Sequence, residues 1–124
     1  MEKIIVDDNS LGAVTSDNLF EKIKRALIEE KPTIEIDLQK VKFVDPYGLV
    51  SLCLVGRHLK DKCKELSIIL PDCFDCQAYL YAMGFISYVK DFMQVKNAAD
   101  GIDAVQHLDQ EVVLELTKIE KKEA

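Results

Sequence analysis

The chain has no excess of positive charge, no long apolar run and few histidines, and each shortage removes a class of function. Sixteen Lys and Arg stand against 22 Asp and Glu, giving a net charge of −6 and a pI near 4.9. Nucleic-acid binders carry a basic stripe or patch, and this composition supplies none. No stretch approaches the roughly 20 apolar residues of a membrane span, so no membrane insertion is expected. Ile4-Ile5-Val6 is too short for a signal-peptide core and is followed by Asp7 and Asp8. The expected location is cytoplasmic.

Metal and catalytic signatures are missing as well. A zinc site usually takes four ligands at recognisable spacing. Cys73-Phe74-Asp75-Cys76 is a single CxxC without a second, and His58 and His107 fall in no ligand pattern. Cys53 and Cys63 lie in a predicted helix. Four reduced thiols serving as small apolar residues is the favoured reading, with no metal and no cofactor. There is no glycine-rich phosphate loop, no G-x-S-x-G turn and no H-E-x-x-H helix. Asp37 and Asp45 are candidate paired carboxylates at strand ends, but no base, nucleophile or oxyanion donor accompanies them. A non-catalytic protein is expected.

What is present is an alternation of two periods. At 124 residues the chain fits one domain, large enough to bury roughly two-thirds of its unfolded surface. Strands are predicted at Ile4–Val6, Thr33–Leu38, Leu66–Leu70 and Tyr88–Val95, with a possible further strand at Leu11–Val14. Thr15-Ser16-Asp17 offers capping side chains for a helix through Leu19, Phe20, Ile23 and Leu27, ended by Pro32. A short helix over Asp75–Met83 closes at Gly84, and a last helix runs from Ala98 to Leu108. Strands alternating with helices imply crossover units and a largely parallel sheet. Residues 1–110 form the domain and 111–124 a tail. In that tail Val112, Leu116 and Ile119 fit a helix that packs on the domain or pairs with a second copy. Val112–Leu116 could also be an edge strand, but the helix is the favoured reading.

Between the second strand and its helix lies "KFVDPYGLVSLCLVGRHLKD", residues 42–61. Asp45 is a favoured N-cap and Pro46 suits the first helical position. Gly48, at the third, is poor for a helix by about 1 kcal/mol and calls for close approach of another segment or of a partner. Leu49, Leu52, Cys53, Gly56, Leu59 and Cys63 share the face that packs on the sheet. Val50 and Leu54 point the other way, near Arg57, and Val55 lies off the core. Either this chain covers those outer residues or a partner does.

The stretch "TIEIDLQKVKFVDPYGLVSLCLVGRHLKDKCKELSIIL" resembles the core of the STAS domain family, whose founding members are bacterial anti-sigma-factor antagonists. The matching features are Asp37-Leu38 at a strand end, Val41–Val44, and Asp45, Gly48 and Leu49 opening a long helix. "AYLYAMGF" (Ala78–Phe85) and "FMQV…AADGIDAVQHL" resemble the later helices and closing strand of that family. The resemblance implies a single-domain α/β sandwich with a mixed, mostly parallel β-sheet and about four helices. It implies a regulatory module that binds a protein partner, commonly an ATP-binding anti-sigma factor that is also a serine kinase. The implied partner surface is Asp45, Pro46, Tyr47, Gly48, Val50, Ser51, Leu54 and Arg57. In switching members a serine directly after the aspartate is phosphorylated. Here Pro46 holds that acceptor position, Tyr47 the next, and Ser51 lies one turn on, so no phosphorylation site is expected. Alternatives implied by the same likeness are a regulatory subunit of a transporter ATPase or of a multi-protein sensor. A small-ligand-binding domain is a further one.

Overall fold

The computed structural model describes residues 2–28 and 32–102 of the chain. Its elements in order are β1 (Glu2–Ile5), β2 (Ser10–Leu11), α1 (Ala13–Ala26), β3 (Thr33–Asp37) and β4 (Phe43–Val44). They continue with α2 (Pro46–Leu59), β5 (Glu65–Ile69), α3 (Phe74–Ala82), α4 (Phe85–Val89) and β6 (Gln94–Lys96). The fold is α/β with one largely parallel four-stranded sheet, as the alternating periods predict. Strand order is β1-β3-β5-β6, β2 and β4 form a separate two-stranded ribbon, and each described pairing is parallel.

Right-handed crossovers that advance in one direction lay their helices along one face of the sheet. α1 packs beside α2, α2 beside α4, and α4 beside α3. Ile4, Ile34, Ile36 and Ile68 meet this helical layer and are buried, as are Leu49, Leu52 and Leu59 of α2. Each such side chain contributes about 1.5–3 kcal/mol on leaving water.

Alternation along the strands sends the intervening residues to the opposite face. Register lines up Lys3, Glu35, Ser67 and Gln94 in one row and Ile5, Asp37, Ile69 and Lys96 in the next. Glu35 and Asp37 are buried there nonetheless. Glu35 accepts from Ser67 Oγ at 3.0 Å and from Lys96 Nζ at 2.5 Å. Asp37 faces Lys3 Nζ at 3.4 Å and accepts from the Gln39 amide at 2.9 Å. The Glu35 carboxyl is held below its ordinary value chiefly by the Lys96 hydrogen bond, against a smaller opposing effect of burial.

Local expectations change at several points. The second strand is only Ser10–Leu11, because Gly12 caps α1 and Val14 is already helical. The Gly12 amide donates to Thr15 Oγ1 at 2.8 Å, so Thr15 works from the third helical position instead of capping. The segment predicted as a strand from Tyr88 to Val95 is α4 followed by β6. Gly84, at φ 80, both closes α3 and opens α4, and that double use restarts helix where a strand was expected. Cys63 lies beyond α2 and is half-buried. Val55 is buried instead of off the core, since α2 is enclosed by neighbouring helices as well as by the sheet. The last predicted helix does not begin at Ala98, because residues 97–101 are loop and turn with Gly101 at φ 78, and its remainder beyond Ile102 and the tail fall outside the described residues.

Candidate functional site

The turn at Asp45 is assembled from three chain segments. β4 delivers Asp45 in extended backbone, and its Oδ1 accepts from the Gly48 amide at 2.8 Å, with Pro46 in the first helical turn. This is the N-cap that the residue order predicts, and it fixes the carboxylate. β2 runs alongside, and the Asp45 amide donates to the Leu11 carbonyl at 3.2 Å. Gly12 leaves room for the carboxylate: a Cβ there would stand 2.6 Å from Asp45 Oδ2. Gly48 is pressed on the Leu11 backbone. The close approach that its presence called for is therefore made by this chain.

The third segment is α3. The Tyr79 phenol is pushed above its ordinary value by burial first, then by the negative Asp45 and by Cys76. The Asp45 charge is thus felt by a phenol on α3. Asp37 is committed elsewhere, to Lys3 and the Gln39 amide, so the pair of strand-end carboxylates does not meet as acid and base.

The eight residues expected at a partner surface divide into three groups. Pro46, Tyr47 and Arg57 are exposed, Tyr47 by 68%. Asp45, Val50 and Leu54 are half-buried. Gly48 and Ser51 are buried and support the surface from beneath; the Ser51 hydroxyl donates to the Tyr47 carbonyl at 2.9 Å. Leu54 sits on the wall of a cleft of about 630 Å³ between α1 and α2, opposite Phe20, Ile23 and Leu27. Arg57 and His58 border the same cleft, and His58 is exposed with Nε2 3.4 Å from Lys62 Nζ.

Two exposed apolar residues at this end escape sequence reasoning. Phe43 is 61% exposed on β4, two residues before Asp45, and Val14 is 77% exposed in the first turn of α1, two residues after Gly12. Phe43 belongs to the Val-x-Phe-Val stretch and precedes Val44 directly in β4, so the alternation that buries Val44 turns Phe43 to the opposite side. That parity was the available signal. Val14 carried none, because it was assigned to a strand.

Among the described residues, no group of three or more His, Cys, Asp or Glu side chains is placed to hold a metal ion. Among them too, no helix is long and apolar enough to cross a membrane. Comparison with models of protein families, with curated proteins and with solved structures finds no match to the chain.

Proposed function

We propose that this chain is a non-catalytic regulatory module that docks a protein partner on the Asp45–Gly48 turn. One observation carries the reading: Phe43 and Tyr47 present large exposed surface beside a turn whose Asp45 and Gly48 amides are bonded within the chain. A rigid turn flanked by exposed aromatics suits binding, because such side chains bury much area at low entropic cost. It does not suit proton transfer, for Asp45 Oδ1 is tied to the Gly48 backbone amide. Val50 and Arg57 extend the surface along α2, and Leu54 contributes from the cleft wall.

The resemblance to anti-sigma-factor antagonists supplies the class of partner: an ATP-binding anti-sigma factor with serine-kinase activity. Pro46 at the acceptor position and the enclosed Ser51 hydroxyl support binding that such a kinase does not release. The test is capture of partners from host lysate with wild type and with Tyr47→Ala, Phe43→Ala and Val50→Asp. Wild type is expected to retain an ATP-binding protein of that class, and the variants to lose it at unchanged melting temperature. Equal capture by all four overturns the surface. Incubation with the partner and ATP is expected to leave the turn unmodified, and phosphate on Tyr47 or Ser51 overturns the missing switch.

A further inference from the structure

The CxxC sequence takes on a new meaning once it is placed on α3. Cys73 is the N-cap, in extended backbone, and Cys76 is the third residue of the nine-residue helix. Those are the two positions of a capping box, near enough for each side chain to reach the other residue's backbone amide. Residues three apart at a helix start also have Cα atoms roughly 5 Å apart, inside the range that a disulfide spans. No side-chain hydrogen bond from Cys73 caps the helix, so its sulfur is not spent on that duty.

The two sulfurs differ in access. Cys73 is half-buried and is followed by Phe74, 49% exposed, whereas Cys76 is only 4% exposed. Burial pushes the Cys76 thiol up to about 11, and the Cys73 sulfur beside it adds to the shift. The backbone around the pair is pinned. Gln77, next in sequence, donates to the Pro71 carbonyl at 2.7 Å and the Asn97 carbonyl at 2.8 Å, and accepts from the Ala99 amide at 3.0 Å. A half-buried cysteine, an enclosed one and a fixed frame are the parts of an attacking and resolving pair.

We infer that Cys73 and Cys76 form a reversible disulfide by exchange with a low-molecular-weight disulfide of the glutathione class. The Cys73 thiolate attacks one sulfur of that disulfide, forming a mixed disulfide and expelling one thiolate. The Cys76 sulfur then attacks Cys73 Sγ, closes the protein disulfide and expels the second. Two protons leave the cysteines and end on two small thiols. The cysteine pair is oxidised by two electrons and the small disulfide is reduced by two. No metal or further oxidant enters.

The full chain, incubated with oxidised glutathione, alkylated and digested with trypsin, tests this. Glu65–Lys90 carries Cys73 and Cys76 alone, while Cys53 and Cys63 fall in other peptides. Wild type is expected to lose alkylation at both cysteines of that peptide, hold no glutathione there and regain both labels after dithiothreitol. Cys76→Ser is expected to keep glutathione on Cys73, and Cys73→Ser to form neither species, with circular dichroism confirming that each is folded. Glutathione retained on Cys73 in wild type as in Cys76→Ser overturns the inference. So does oxidation of Cys53 or Cys63 ahead of the pair.

Discussion

Gly48 and Leu11 touch where no side chain fits. A Cβ on Gly48 would fall on the Leu11 carbonyl oxygen and stand 2.8 Å from its carbon and 3.1 Å from its Cγ. The ribbon of β2 and β4 thus lies directly on the first turn of α2, and the helical penalty of glycine is accepted for that contact.

Gly48→Ala is accordingly expected to destabilise the domain by about 1–3 kcal/mol, the usual range for overpacking against structure that cannot yield. Gly56→Ala serves as the control. Its Cβ would meet Met93 Cε and Phe92 Cε2 at 3.4 Å, ordinary contact with side-chain ends, and alanine gains about 1 kcal/mol of helix propensity. Urea denaturation should show Gly48→Ala well below wild type and Gly56→Ala equal or above.

Removing the Asp45 cap with Asp45→Ala should cost about 1 kcal/mol, visible as a melting temperature roughly 2–5 °C lower. Asp45→Asn keeps an acceptor for the Gly48 amide and should retain most of that stability. It also removes a negative charge near Tyr79, whose phenol burial and Asp45 together hold up. Ultraviolet titration should therefore find one tyrosine ionising at lower pH in Asp45→Asn than in wild type.

Glu35 predicts a pH dependence. Its folded value lies below the ordinary 4.5, chiefly through the Lys96 hydrogen bond, so its contribution is fully present above about 4.5. That contribution fades as pH falls through the lowered folded value. Lys96→Met should flatten this acid-side loss, measured as urea midpoints between pH 3 and 7. At neutral pH the substitution should cost about 1–2 kcal/mol, since the Lys96 end is partly in water while Glu35 is left enclosed.

Gln77→Ala removes partners from three backbone groups, those of Pro71, Asn97 and Ala99. At about 1 kcal/mol or more for each polar group left unmatched, a loss of about 2–3 kcal/mol is expected. Hydrogen exchange at β6 and the Asn97–Ala99 segment should accelerate more than exchange at β3.

Sequence periodicity located the main strands β1, β3 and β5 and the capped start of α2, because those depend on local signals: alternation, Asp before Pro, glycine after a helix. It could not show that Glu35 and Asp37 are buried, since their ion partners Lys96 and Lys3 come from strands distant in sequence. Nor could it distinguish the helix at Phe85–Val89 from a strand, as five residues carry too little period for either. At the candidate site the turn is readable, whereas Ser51, expected on the partner surface, is buried with its hydroxyl donated to the Tyr47 carbonyl. A helical wheel assigns directions only, and neighbours such as α1 and α4 decide what is covered.

The order β1-β3-β5-β6 follows the order of synthesis. Each principal strand is laid against one already made, so a nascent chain never has to insert a late strand between two early ones. Growth proceeds at a single edge and finishes with the three-residue β6. That strand is the shortest in the sheet, so unravelling should begin at the end that forms last and expose the Glu35 carboxylate as Lys96 leaves.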